Sequence, residues 1–283
     1  MSDATRVAAH LTARIAGFKD LPVTRAMGYA VAGGKGLRGF LVMESARLHG
    51  VAEEHALWPA AAIEAVHAYS LVHDDLPCMD DDDLRRGQPT VHIRWDEATA
   101  VLAGDALLTL GFELVCDPRC HDDPAVRADL ALTLAQAAGA GGMVLGQALD
   151  MAAEDAEVPL TLDEITALQA GKTGALIQWS AEAGARLAGA DVKPMRHYAQ
   201  ALGLAFQIAD DILDVEGDAE KAGKRLQKDA EAGKATFVSL LGLEAAKRRA
   251  EDLTATACDA LAPFGAKADT LREAARFVIS RDS

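Results

Sequence analysis

Aromatic side chains are scarce in this chain, only 5% of its 283 residues, and β-branched runs are few. That leaves little of the pattern a sheet protein needs. Cysteine is nearly absent too: Cys78, Cys116, Cys120 and Cys258 are the four, and their spacing forms no disulfide framework. Reduced thiols and a cytoplasmic setting are the expectation. Cys116 and Cys120 flank Pro118 and stand next to His121, but no second Cys/His pair is near, so a zinc site is not expected. No run of eighteen apolar residues occurs, and no transmembrane helix or stable membrane anchor is expected. The opening MSDATRVAAHLTARIAGF has no signal-peptide core and reads as an amphipathic helix. Positive charge is in deficit: 28 Lys and Arg against 43 Asp and Glu give a formal charge of −15. A chain so acidic repels a phosphate backbone, which argues against nucleic acid as a partner.

What is plentiful is alanine and leucine in helical spacing, so the fold class read from composition is all-α. The periodicity predicts helices over 4–17, 39–49, 55–73, 95–115, 123–138, 142–152, 162–186, 194–215, 236–261 and 268–280. Thr161-Leu-Asp-Glu164 has the form of a capping box. Gly/Pro/Asp clusters separate the helices, none long or polar enough to be a linker, so 1–283 reads as one domain.

Two acidic stretches stand out. In SLVHDDLPCMDDDDLRRGQPTVH, six aspartates (Asp74, Asp75, Asp80, Asp81, Asp82, Asp83) fall within ten residues, with Arg85 and Arg86 directly after. In FQIADDILDVEGD, Asp210 and Asp214 are four apart and share a helix face, whereas Asp211 points elsewhere. Two carboxylates in a cleft repel by roughly 4 kcal/mol at close contact. A hard divalent cation reverses that sign, and Mg²⁺ prefers carboxylate oxygen. On a continuous helix Asp74 and Asp80 would diverge by about 240°. A chain leaving the helix around Pro77 can bring Asp80 back beside Asp74. Alone, Asp80–Asp83 is better explained by a solvated loop, and Asp210–Asp214 alone is explained as well without a metal as with one; the two motifs together favour a metal. Mg²⁺ is usually shared with substrate phosphates, and a diphosphate fits between two such sites.

Cations for a diphosphate are present. GGKGLRGF places Lys35 and Arg38 near a helix start. Arg85 and Arg86 supply forked donors. GKTGALI sets Lys172 and Thr173 between glycines inside a helical pattern, and these glycines can loosen the helix there. It is not a P-loop, since GxxxxGK[ST] and a preceding strand are missing. Lys224, Lys228 and Lys234 follow the second acidic motif. His67 and Gln207 are polar residues on otherwise apolar helices.

The order of these pieces resembles the trans-prenyltransferases, the short-chain isoprenyl diphosphate synthases. DDLPCMD resembles the first aspartate-rich motif in its form with two extra residues, and DDILD the second. GGKGLRG resembles the usual GGKRLRP with Gly36 for an arginine and Gly39 for a proline. The resemblance implies an all-α bundle of isoprenoid-synthase type around a deep central cavity, usually a homodimer. It implies Mg²⁺, about three ions with substrate bound, held by Asp74 and Asp80 with Asp75 supporting, and by Asp210 with Asp211 and Asp214 nearby. Arg85, Lys172 and Lys224 would grip an allylic diphosphate, and Lys35, Arg38, His67 and Arg86 that of isopentenyl diphosphate. Thr173 Oγ, the Lys172 carbonyl and the Gln207 amide oxygen would steady the allylic cation. Tyr69, with Ser70 beside it, would floor the cavity five residues, or about 7.5 Å, below Asp74. An aromatic there beside the two-residue insertion resembles bacterial farnesyl diphosphate synthases and implies a C15 product, with C20 or C10 as alternatives. A terpene cyclase would lack the second DDxxD and the Lys35/Arg38 pair. A calcium-binding protein would need an EF-hand loop, which 80–92 does not offer.

Overall fold

The computed structural model describes residues 2–154, 156, 158–216 and 235–280. Apart from one two-stranded hairpin, their regular secondary structure is helical, so the protein is all-α. The Cα positions cluster into two compact units: residues 1–132 with 183–190, and residues 133–182 with 191–283.

The first unit holds α1 (Asp3–Ile15), α2 (Pro22–Ala30), α3 (Leu37–Leu48) and α4 (Glu53–Asp74). The hairpin β1 (Leu84–Arg85) and β2 (Gln88–Pro89), α5 (Val91–Arg94) and α6 (Glu97–Cys116) complete it. α4 is its axis. Ala60, Ala61, Ala62, Ile63, Ala65 and Val66 are all buried, so the helix is apolar nearly all round and neighbours cover it on several sides. Its small residues admit α6 closely. A Cβ on Gly111 would sit 2.6 Å from Val66 Cγ2, and one on Gly104 would sit 2.0 Å from His73 Nε2. α6 starts where Asp96 accepts the Thr99 N–H at 2.6 Å, an N-cap.

α7 (Pro124–Ala138) leads into the second unit, which contains α8 (Met143–Glu154) and α9 (Leu162–Gln169). A π-helical turn (Ala170–Gly174) joins α9 to α10 (Ala175–Leu187). α11 (Lys193–Glu216), α12 (Phe237–Leu241), α13 (Leu243–Ala260), a 3₁₀ segment (Ala262–Ala268) and α14 (Asp269–Ser280) follow. α11 and α13 pack along their lengths. Tyr198 is fully buried on α11, and its hydroxyl donates to the Leu271 carbonyl at 2.9 Å, which ties α11 to α14.

The Thr161/Glu164 capping box is present. Several boundaries differ from the sequence reading. The expected helix 236–261 breaks at Gly242, whose φ of +78° no helix tolerates. The expected helix 162–186 contains the π turn. α2, α5 and the hairpin were not expected, because each is too short for periodicity to reveal. α6 is long and apolar enough to cross a membrane by length and composition (mean hydropathy 1.6), as is the Pro124–Ala153 stretch (1.3). Neither is an unbroken run of eighteen apolar residues, because isolated polar residues interrupt both; in α6, Ala100, Ala103, Leu107, Leu110 and Leu114 are buried and the helix packs on α4, while Val101 and Leu102 are exposed.

Candidate active site

α4 ends at Asp74, and the chain turns through Pro77 as expected. The Asp80 N–H donates to the Asp74 carbonyl at 2.8 Å, which returns Asp80 to the end of the helix. Asp81 and Arg86 adopt φ of +50° and +53°, the left-handed region that branched and long side chains rarely enter. Asp75 faces inward. It is 3% exposed and accepts a hydrogen bond from Arg85 Nε at 2.7 Å. Burial raises its pKa, and Arg85 opposes that rise. Burial works against the charge of Arg85, yet the hydrogen bond to Asp75, with Asp74 and Asp82 around it, raises its pKa overall.

Beside this lies a cationic cluster from the same unit. Gly36, at φ +68°, is the N-cap of α3, where a Cβ would strike Ala4 at 2.9 Å. The segment before it wraps Arg86: Arg86 Nη1 donates to the Ala32 carbonyl at 3.3 Å, and a Cβ on Gly34 would touch the guanidinium at 3.3 Å. Lys35 is exposed on this segment. Burial lowers the Arg38 pKa, Glu64 counters it, and Arg86 adds to the lowering. Burial likewise holds His67 well below the usual imidazole range, reinforced by Arg38, Arg86 and Arg85. Arg38, His67 and Arg86 therefore share one electropositive spot. Tyr69 is buried and meets His73 edge-on at 5.8 Å, while the Ser70 hydroxyl donates to the His67 carbonyl at 2.9 Å. Burial, with Asp74 second, raises the Tyr69 pKa.

In the second unit Lys172 sits in the π turn, with its Nζ 2.6 Å from Asp150 Oδ2 on α8. α8 approaches so closely that a Cβ on Gly146 would fall 1.9 Å from the Lys172 nitrogen. The glycines of GKTG thus let the helix widen, a change often found at functional positions. Thr173 is half-buried in the same turn, and Gln207 half-buried on α11. α11 runs unbroken through Asp210 and Asp214, keeping the two on one face. Asp211 departs from that face and accepts the Phe237 N–H at 2.7 Å at the start of α12. Lys224, Lys228 and Lys234 lie outside the described residues.

Two charged residues escaped the sequence reading. Glu64, three before His67 on α4, lies among the arginines. Asp150, on α8, pairs with Lys172. Each is an isolated acid within an apolar stretch of its helix, and that contrast was the one signal available. Among the described residues, no three His, Cys, Asp or Glu side chains converge closely enough to hold a metal ion alone. The aspartates at the ends of α4 and α11 are hard oxygen donors suited to Mg²⁺, whose remaining positions commonly go to water and substrate phosphate.

The polyprenyl synthetase family model matches residues 22–263. The chain belongs to the polyprenyl synthetase family. It is 48% identical over 245 residues to the farnesyl diphosphate synthase of Escherichia coli, covering 83% of this chain and 80% of that one. The apo structure of an FPP/GFPP synthase from Zymomonas mobilis superposes with a TM-score of 0.90 at 46% identity, covering 97% of this chain and 95% of that one. A geranyltransferase from Helicobacter pylori, complexed with magnesium and isoprenyl diphosphate, superposes with a TM-score of 0.81 at 33% identity, covering 98% and 95%. In this polyprenyl synthetase the matched span contains both aspartate motifs and every basic residue singled out from the sequence.

Proposed function

We propose that this polyprenyl synthetase is an Mg²⁺-dependent prenyltransferase working as one synthase domain over residues 1–283. It joins dimethylallyl or geranyl diphosphate head-to-tail to isopentenyl diphosphate, giving farnesyl diphosphate (C15) and diphosphate. The observation that carries this is the return of Asp80 to the Asp74 carbonyl beside the Arg38–His67–Arg86 cluster. It supports a hard-cation site next to an anion site towards one end of α4.

Asp74 and Asp80, and Asp210 with Asp214, would hold about three Mg²⁺ ions, with Asp75 and Asp211 supporting. Mg²⁺ held by these aspartates would supply the positive charge that offsets the leaving diphosphate. Arg85, Lys172 and Lys224 grip the allylic diphosphate; Lys35, Arg38, His67 and Arg86 hold the isopentenyl diphosphate. The allylic C–O bond breaks because its carbocation is delocalised and the leaving group is held by fixed cations. Thr173 Oγ, the Lys172 carbonyl and the Gln207 amide oxygen turn their negative ends toward that cation. The isopentenyl double bond forms the new C–C bond, and the proton then lost goes to the departed diphosphate. Apolar surroundings would have to exclude water, which would otherwise capture the cation. Tyr69, with Ser70, ends the space for the growing tail.

We place the enzyme in the cytoplasm and read it as a homodimer. Val144, Leu145, Leu149 and Met151 are each at least 40% exposed along α8, an apolar stripe suited to a second copy. The test is incorporation of labelled isopentenyl diphosphate with geranyl diphosphate, with and without Mg²⁺, followed by chromatography. C15 product that requires Mg²⁺ is expected. No incorporation overturns the reading, and C20 product overturns the farnesyl assignment.

A further inference from the structure

Among the described residues, Glu64 is an acid facing the Arg38/Arg86 spot that neither aspartate motif accounts for. Its Oε1 accepts the Gly39 N–H at 2.7 Å. Gly39 lies in the first turn of α3, where backbone N–H groups lack intrahelical partners. A proline here, as in GGKRLRP, has no N–H to donate, so this chain's Gly39 creates the bond. It also makes room: a Cβ at Gly39 would lie 3.3 Å from both Glu64 Cγ and Oε1, and 3.1 Å from Val7 Cγ1. Arg38 Nε is shut off from solvent and finds no hydrogen-bond partner among the described residues. Glu64 raises the pKa of both Arg38 and Arg86, while each arginine's pKa is lowered first by burial.

We propose that Glu64 is the resident counter-anion of the isopentenyl diphosphate subsite, pinned by Gly39 N–H where it offsets Arg38 and Arg86 until a diphosphate replaces it. This rests on the function proposed above. Two buried guanidinium groups of like charge repel, and an uncompensated buried charge is costly. In the free enzyme the Glu64 carboxylate supplies the compensation. When isopentenyl diphosphate arrives, its own charge does so, and Glu64 becomes a like charge beside it. Glu64 is thus a positioning residue that keeps the empty subsite ordered and weakens its hold on substrate.

The test uses Glu64→Gln, Gly39→Pro and the double variant of the full chain. Inorganic pyrophosphate is the binding probe, used with chelator so that metal-dependent sites do not report. Glu64→Gln is expected to lower the melting temperature of the free enzyme. It should also enlarge the rise produced by pyrophosphate and lower the isopentenyl diphosphate KM about threefold or more, with the allylic KM unchanged. Gly39→Pro, which removes the donor and keeps the carboxylate, should move the same KM in the same direction by less. The double variant should match Glu64→Gln. A merely structural role would lower the melting temperature with KM unchanged or raised, and that result overturns the proposal. If Glu64→Gln does not fold, an isopentenyl KM for Gly39→Pro equal to or above wild type overturns it instead. Failure of the wild type to make any prenyl product would instead sink the functional reading, so the two failures are distinct.

Discussion

Arg85 and Asp75 are joined at 2.7 Å through Arg85 Nε, inside the loop that follows α4. The second aspartate of the motif therefore holds a cation in place, while Asp74 and Asp80 lie at the helix end. A hydrogen bond to a charged group contributes about 1.5–3 kcal/mol. Asp75→Asn should lower kcat/KM for geranyl diphosphate about tenfold to a hundredfold while raising the Mg²⁺ concentration for half-maximal rate less than Asp74→Asn does. Asp74→Asn should shift that concentration upward. Mg²⁺ titrations of initial rate, run in parallel on both variants, check the division of labour.

Lys172 Nζ and Asp150 Oδ2 stand 2.6 Å apart in the second unit. If Asp150 acts only by aiming Lys172, their effects will not add. Lys172→Ala should lower kcat/KM for the allylic substrate at least a hundredfold, and Asp150→Asn by less. The double variant should equal Lys172→Ala. Additive losses would show that Asp150 has a separate task.

Tyr69 is only 8% exposed and lies edge-on to His73. Removing the ring opens space along α4, so Tyr69→Ala should shift product from C15 toward C20 and longer. Identical product lengths by chromatography would remove Tyr69 as the floor.

His67 carries a pKa well below the ordinary value because it is buried beside three arginines. The unfolded chain takes up a proton near pH 6.5, and the folded protein does so only lower. Between those two pKa values the unfolded state holds more protons, so stability falls as pH drops. His67→Gln lacks this linkage. Its melting temperature should decline less than the wild type's between pH 7.5 and 5, as read by calorimetry.

The exposed α8 stripe bears on assembly. Leu145→Glu with Leu149→Glu, both outside the proposed substrate contacts, should convert a dimer to a monomer in sedimentation velocity. A wild type already monomeric at micromolar concentration would remove the homodimer.

Much of this was legible in the residues. A helix obeys a 3.6-residue period, so the partnership of Asp210 with Asp214 and the divergence of Asp211 follow from spacing. Pro77 likewise signalled the break that returns Asp80 to Asp74. Periodicity failed where the chain departs from long regular helices: at the π turn around Lys172, at Gly242, and at the hairpin carrying Arg85 and Arg86. Those departures answer to neighbours distant in sequence, such as α8 pressing on the π turn through Gly146.

Alone, the order of residues determined an all-α chain with two carboxylate pairs and a set of cations, because helix propensity and charge are local properties. It also marked Gly36 and Gly39 as departures from GGKRLRP without saying what they do. Only tertiary packing decided which acid meets which partner: Asp75 with Arg85, Asp150 with Lys172, and Glu64 with the Gly39 N–H beside Arg38. Those pairings span from ten to twenty-five residues of chain, and such distances are closed by the burial of apolar faces rather than by any short-range preference.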